Sequence, residues 1–337
     1  MSSIDGGKDL PRPAAAPARP GAPRHEVIAT AQRAWLTYLG GMALAFLPFV
    51  AFINDAHWLN ILALTYLMGG LAASWNIIGG FGGQFSLGHG VFFAIGAYST
   101  AIFVTRWGVS PWLTMIPIAI FAACVAMLIS WPTFRLRGPF FAIATLAFNE
   151  VAFVLANHAE SLTGGPRGVS IPFKAGLANM IFRDRWAYAL LMFAFVALVI
   201  ALCVWLRRSR LGYYLLAVRE DEDAARAAGI NVLGVKLKGM ALSAGLTAIG
   251  GTLFTMYLRY IDPPTLFTLP EVGVKFALLA LIVPFENWLR SAYADSLPGL
   301  SLAILGLLMV LAALFMKRGV MGVIDDLLKR RRGKGAS

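Results

Sequence analysis

Four consecutive carboxylates, Glu220, Asp221, Glu222 and Asp223, are the side chains whose types and spacing most directly suggest chemistry. They lie within a charged segment, residues 207–237, which separates two long apolar stretches and is basic on both sides of the acidic block. The anionic headgroups of a membrane surface repel such a block. We therefore expect it to point away from lipid, toward a basic surface on a protein partner.

The sequence lacks the residue patterns that catalysis and metal binding require. The four histidines are scattered over the tail and the loops: His25, His57, His89 and His158. No HExxH, G-x-S-x-G or paired-acid pattern occurs, and the ATP-binding pattern G-x-x-x-x-G-K-[ST] is absent. Cys124 and Cys203 lie in apolar stretches, where cysteines pack as small apolar residues. We predict no catalytic residue, no metal, no bound cofactor and no enzyme activity of the chain's own.

A second set of polar residues interrupts the apolar stretches and forms a candidate translocation pathway: Asn76, Gln84, Ser86, Asn149 and Glu150. Gln84 and Ser86 belong to a glycine-rich segment, residues 79–90, with six glycines in twelve residues. Glycine at this density disfavours a continuous helix. The segment indicates either a broken helix that exposes backbone groups to a solute or a tight turn between closely packed helices. Asn149 and Glu150 leave a similar choice between pathway lining and a hydrogen bond between helices.

The elements that must position these residues are membrane-spanning helices. Hydrophobic residues make up 58% of the chain and charged residues 14%, too few to cover a soluble globule of 337 residues. Apolar stretches of about 20 residues, the length of a membrane span, recur along the chain. We predict an all-α, polytopic transmembrane helical bundle with about nine apparent spans, at 34–53, 58–78, 87–105, 112–131, 139–157, 186–206, 238–258, 270–284 and 299–316.

The basic residues predict the topology. The net charge of +12 is concentrated in the tails and short loops, a distribution typical of cytoplasmic loops rather than of nucleic-acid binding. We expect residues 1–33 to be a disordered basic cytoplasmic tail, 34–316 the transmembrane domain with the charged segment in the cytoplasm, and 317–337 a basic cytoplasmic tail. Nine spans would place the two tails on opposite sides of the membrane, whereas both are expected in the cytoplasm. The segment 270–284 is therefore either a re-entrant hairpin or a sign that one span is missing near residue 283.

The charged segment itself is predicted to be helical. Residues 212–228 contain strong helix formers, and Gly229 is a natural left-handed helix cap. Apolar residues occur on one face, which Glu222 interrupts: Leu211, Leu215, Val218 and Ala225. Four alanines leave a surface that the groove of another protein can approach closely: Ala224, Ala225, Ala227 and Ala228.

Several stretches resemble the branched-chain amino acid (Liv-type) ABC importer permeases, specifically the longer of the two permease subunits. They are 74–98 (SWNIIGGFGGQFSLGHGVFFAIGAY), 137–168, 209–251 and, more weakly, 296–322. The resemblance implies a bacterial inner-membrane subunit, in contact with lipid, that pairs with a second permease, two cytoplasmic ATPases that use the ATP, and a periplasmic receptor. It also implies that residues 220–231 form a coupling helix that docks in an ATPase groove, with these residues taking part: Glu220, Asp221, Glu222, Asp223, Ala224, Ala225, Gly229 and Asn231.

One departure from the family pattern coincides with the odd count of spans. In the family, a stretch like 274–282 runs into a G-G-x-G turn and a further span, whereas here Pro284 leads directly to Phe285-Glu286. Three alternatives to branched-chain amino acid import therefore stay open: a permease for urea or short amides, a secondary transporter, and a membrane scaffold that does not transport.

Overall fold

The computed structural model describes residues 24–136 and 138–268, and eleven α-helices occur in them. The helices are α1 (Arg24–Ala51), α2 (Ala56–Asn76), α3 (His89–Trp107), α4 (Pro111–Thr133), α5 (Pro139–His158), α6 (Glu160–Thr163), α7 (Arg185–Leu206), α8 (Arg210–Glu220), α9 (Glu222–Ala227), α10 (Val232–Leu258) and α11 (Pro263–Thr268). Two short strands, β1 (Val169–Ser170) and β2 (Tyr260–Ile261), pair antiparallel. The predicted all-α class is confirmed.

Seven of the nine predicted spans coincide with long helices. Among residues 24–136 and 138–268, five helical stretches are long and apolar enough to cross a membrane: Ala56–Phe81, Pro111–Thr133, Pro139–His158, Arg185–Leu206 and Val232–Leu258. Helix α1 begins at Arg24, so it extends into the segment that we expect to be a disordered tail. The predicted spans 270–284 and 299–316, the missing span near 283 and the tail 317–337 lie outside the described residues, and the count of about nine spans stays a prediction.

Helix α10 is the centre of the bundle and packs against α2, α3 and α4. Small residues make this close packing possible, because membrane helices gain little from burying apolar side chains and approach through Gly, Ala, Ser and Thr instead. Thr100 on α3 and Thr252 on α10 form a hydrogen bond between their hydroxyls, 2.9 Å apart. A methyl group added at Gly96 would strike the carbonyl of Ala248.

Replacing Gly96 with leucine is therefore expected to lower the free energy of unfolding by about 3 kcal/mol, as overpacking in a core does. Backbone blocks the new side chain here, so no rotamer change relieves the clash. Gly41→Leu is the matched control, because nothing lies within 4 Å of a Cβ at Gly41. Denaturant titration of the purified protein in detergent measures both; equal stability of the two variants would contradict this account of the α3–α10 crossing.

The glycine-rich segment is irregular, as predicted. Helix α2 passes into one π-helical turn, Ile77–Phe81, and the chain then lacks regular structure until α3 begins at His89. Gly83 has φ +65°, a left-handed conformation that glycine adopts without strain. The broken backbone therefore lies at the end of the bundle where α2 and α3 meet the charged segment.

The segment between α5 and α7 forms an ordered cap at the other end of the bundle. It contains α6, two short 3-10 turns and strand β1, which pairs with β2 just after α10. Helix α10 runs from the charged segment to this cap, so the bundle has a coupling end, formed by residues 207–237, and an opposite end.

Candidate functional site

The charged segment folds as two helices because its own side chains cap them. Ser209 Oγ accepts a hydrogen bond from Gly212 N at 3.2 Å at the start of α8. Asp221 Oδ1 accepts bonds from Asp223 N and Ala224 N at 2.9 and 3.0 Å, and so starts α9. The helical prediction over 212–228 is confirmed, with an interruption at Asp221 that the sequence analysis did not identify. An Asp that adopts an extended conformation to cap α9 ends the helix before it.

The end of α9 follows the prediction. Gly229 has φ +84°, the left-handed conformation expected of a helix-ending glycine. Asn231 then caps α10, since its Oδ1 accepts a bond from Gly234 N at 2.9 Å. Asp221, Gly229 and Asn231 thus shape the charged segment through local backbone structure.

Glu222 points toward the interior of the protein. Its carboxylate forms an ion pair with the ammonium of Lys236 on α10. The Lys236 side chain is 3% exposed and that of Glu222 is 31% exposed. Gln84 Nε2 donates to the same Glu222 oxygen at 3.4 Å, and the Lys236 ammonium lies 5.7 Å from the centre of the Phe134 ring. The expectation that the whole acidic block faces outward is therefore corrected for Glu222.

Other residues predicted to dock with an ATPase are exposed around α9. Glu220 at the end of α8, and Asp223 and Ala224 on α9, are exposed, and Asp223 pairs with Arg226 at 3.1 Å. Ala225 lies on the buried face of α9, as predicted for the apolar face. Its predicted place on the surface that a partner approaches is therefore corrected.

The charged segment contacts the glycine-rich segment directly. Arg219 Nη1 donates to the carbonyl of Gly80 at 3.0 Å, and the same guanidinium pairs with Glu220 at 2.6 Å. Together with the Gln84–Glu222 bond, this contact joins α8 and α9 to the broken end of α2. The charged segment thus contacts the break directly, with no other element between them.

A chain of buried hydrogen bonds continues from the break into the bundle. His89 lies between two serines, with Nδ1 3.1 Å from Ser86 Oγ and Nε2 2.9 Å from Ser243 Oγ. Ser243 in turn donates to the carbonyl of Ser74 at 2.7 Å, so the chain connects α2, α3 and α10. His89 acts here as a structural hydrogen-bonding residue and both of its ring nitrogens have partners.

The five candidate pathway residues do not form one cluster. Gln84 is half-buried and Ser86 buried at the coupling end, and Asn76 is exposed at the end of α2. Asn149 is buried and its Nδ2 donates to the carbonyl of Phe267 at 3.4 Å, while its Oδ1 has no hydrogen-bond partner. Glu150 lies on an exposed face of α5.

Comparison with known proteins identifies the family. The profile described as "Branched-chain amino acid transport system / permease component" matches residues 58–284, about two-thirds of the chain. The chain belongs to this family. It is a multi-pass membrane permease of the ABC importer type and not an enzyme.

The permease is similar to several curated relatives. It is 30% identical over 311 residues, 81% of this chain and 71% of the relative, to the high-affinity branched-chain amino acid transport system permease protein LivM of Escherichia coli (strain K12). It is 24% identical over 225 residues, 60% of this chain and 70% of the relative, to LivH of the same strain. A nucleoside ABC transporter permease protein, NupC of Lactococcus lactis subsp. cremoris (strain MG1363), is 26% identical over 220 residues, 60% of this chain and 69% of the relative. No solved structure matches the permease.

Proposed function

We propose that the permease carries branched-chain or related amino acids into the cell and takes its energy from separate ATPase subunits. Residues 34–316 form the transmembrane domain, which lies in the bacterial inner membrane with both basic tails and the charged segment in the cytoplasm. The permease itself binds no cofactor. Its two partner ATPases bind and use the ATP. A second permease and a periplasmic receptor complete the importer.

The observation that carries this proposal is the contact between the charged segment and the glycine-rich break. Arg219 and Glu222 reach the break from α8 and α9, while Asp223, Ala224 and Ala227 of α9 remain exposed. An ATPase that binds α9 on the cytoplasmic side, and moves, therefore pulls on the broken end of α2 and on α10. This arrangement suits a rigid-body switch between outward- and inward-open states.

Helix α5 supports the presence of a second permease subunit. Glu150 is exposed on a helix whose other exposed residues include Ile143, Val151 and Val154. A carboxylate is costly against hydrocarbon and normally faces protein or water. We infer that this face of α5 lies against the partner permease or the solute pathway between the two.

The substrate class follows from the relatives. The LivM and LivH relatives are named for branched-chain amino acids, and the nucleoside permease shows that the shared sequence pattern serves other solutes as well. The greater identity to LivM, over a larger share of both chains, favours amino acids.

Uptake of labelled leucine into proteoliposomes tests the proposal. We expect uptake only when the second permease, the ATPases, ATP and the loaded receptor are all present, and we expect isoleucine and valine, but not urea or a nucleoside, to compete. Vesicles that hold the permease alone are the matched control. Leucine uptake by these vesicles without nucleotide would identify a secondary transporter instead.

A further inference from the structure

The exposed tryptophans among residues 24–136 and 138–268 mark two levels of the bundle. One group lies at the coupling end and the other at the opposite end: Trp35, Trp131 and Trp205, and Trp107, Trp112 and Trp186. Tryptophan is enriched at both interfaces of a membrane, where its ring lies at the level of the headgroups. Trp112 and Trp131 on α4 are 19 positions apart, as are Trp186 and Trp205 on α7. This spacing corresponds to about 28 Å of helix, close to the thickness of a hydrocarbon core.

Helix α8 begins directly beyond the tryptophan level of the coupling end. Helix α7 ends at Leu206, one residue after Trp205, and α8 begins at Arg210 after a three-residue turn. One face of α8 packs on the bundle, because Leu215 is fully buried and a methyl group added at Gly239 would lie 3.0 Å from its Cδ2. The opposite face of α8 therefore lies at the edge of the headgroup level.

The exposed face of α8 is basic and aromatic. Arg210, Tyr213 and Tyr214 are exposed at helical spacing, and Arg207 is exposed in the turn before the helix. We call these four residues the α8 face. Tyr213 is 62% exposed and lies about 200° around the helix from the buried Leu215. Basic and aromatic side chains on the outer face of a helix are typical of helices that lie on a membrane surface.

Other arginines at the coupling end lie against the same tryptophans. The guanidinium carbon of Arg208 is 5.9 Å from the centre of the Trp35 ring, and that of Arg135 is 5.1 Å from the centre of the Trp131 ring. Guanidinium groups of the α7–α8 turn and of the end of α4 are thus at the headgroup level. The α8 face belongs to a basic and aromatic belt around this end of the bundle.

The carboxylates of the charged segment have partners other than the arginines of the α8 face. They are bound as follows: Glu220 by Arg219, Glu222 by Lys236, Asp223 by Arg226, and Asp221 by backbone N–H groups of α9. Glu220 also lies ten residues from Arg210, about 15 Å along the helix. The α8 face therefore presents positive charge at its outer surface.

The sign of the charge distinguishes lipid from an ATPase as the occupant. The exposed acidic residues of α9 require a basic surface on the ATPase, and such a surface repels the arginines of the α8 face. The cytoplasmic leaflet carries anionic lipids, which attract basic residues beside a membrane span. Their phosphate oxygens accept the paired hydrogen bonds that guanidinium groups donate.

We propose that the α8 face binds anionic phospholipid headgroups of the cytoplasmic leaflet. Arg207 and Arg210 pair with the phosphates, and the rings of Tyr213 and Tyr214 lie among the headgroups. This inference rests on the proposed function only for the side of the membrane, which places the coupling end in the cytoplasm. Lipid holds α8 on the face opposite the one that packs on the bundle.

Labelling with photoreactive lipids tests the site in the complete importer, reconstituted in phosphatidylcholine vesicles. Phosphatidylglycerol with a diazirine in its headgroup is the probe, and phosphatidylcholine with the same diazirine is the neutral comparison. Mass spectrometry measures the labelled fraction of α8 peptides after irradiation. We expect phosphatidylglycerol to label wild-type α8 at least about fivefold more than phosphatidylcholine, and Arg207→Gln/Arg210→Gln to remove most of this difference, because the attraction depends on the basic residues.

Two further variants control for charge and position. Arg207→Lys/Arg210→Lys keeps both charges and should keep at least about half of the labelling, since lysine also attracts an anionic surface. Arg167→Gln/Lys174→Gln removes two exposed charges from the cap at the opposite end and should leave the labelling of α8 at the wild-type level. Copurification of the ATPases with each variant shows that the complex still assembles.

Equal labelling of α8 in the wild type and in Arg207→Gln/Arg210→Gln overturns the proposal, as does equal labelling by the two lipids. A glutamine variant that loses its ATPases but keeps its labelling also overturns it, because the α8 face would then be a contact with the ATPases.

Leucine uptake by the same vesicles separates this inference from the proposed function. An importer that takes up leucine but shows no preferential labelling of α8 contradicts only the lipid site. Preferential labelling of α8 in an importer that takes up no leucine supports the lipid site and contradicts the proposed function.

Discussion

Replacing Glu222 with alanine is expected to destabilise the permease far more than replacing Lys236 with methionine. Glu222→Ala leaves an ammonium that is 3% exposed without its counter-charge, and breaking a buried ion pair in this way costs about 3 kcal/mol. Lys236→Met removes the buried charge and leaves an apolar side chain near the Phe134 ring, while Glu222, which is 31% exposed, can still reach water.

The double variant Glu222→Ala/Lys236→Met should therefore be more stable than Glu222→Ala alone, although it carries one more substitution. Denaturant titrations in detergent of the four proteins in this cycle give the coupling energy. Arg226→Ala is the control, because its pair with Asp223 is exposed and should contribute less than about 1 kcal/mol. Additive effects of the two single substitutions would show that Glu222 and Lys236 do not interact in the folded protein.

Replacing Ala227 with tryptophan is expected to detach the ATPases and abolish ATP-driven uptake while the permease remains folded. Ala227 is exposed and lies two residues, about 200° around α9, from the buried Ala225. A side chain there extends away from the bundle, into the space that an ATPase groove must occupy. Copurification with the ATPases and uptake in proteoliposomes measure the two effects.

Ala178→Trp is the control for adding an indole to the surface. Ala178 is exposed in the cap at the opposite end, so this variant should keep its ATPases. An Ala227→Trp complex that retains its ATPases and its uptake would refute the role of α9 in coupling.

The sequence predicted the features that depend on local properties. Seven spans coincide with helices, because the length and hydropathy of an apolar stretch determine whether it can cross a membrane. Gly229 ends its helix as predicted, since the left-handed conformation at that position favours glycine. The irregular glycine-rich segment follows from the same conformational preference.

Features that depend on the direction of side chains were not predicted correctly or were missed. Glu222 was expected to face a partner, yet it pairs with Lys236 fourteen residues later, across the turn between α9 and α10. Arg219 was not recognised as a link to Gly80, 139 residues away. The block of acidic residues with basic residues on both sides gave no signal that Glu222 and Lys236 would pair inside the protein.

By itself, the sequence determined a bundle of apolar helices with one long charged segment at one end, because hydropathy and backbone preference are properties of neighbouring residues. Only the tertiary structure decided which charges remain available to partners. Burial of Lys236 beneath α9 required one carboxylate, that of Glu222, to turn inward, whereas Asp221 and Asp223 on either side of it remain exposed. The energy of a charge depends on the distance and exposure of its neighbours, and the packing of the helices sets both.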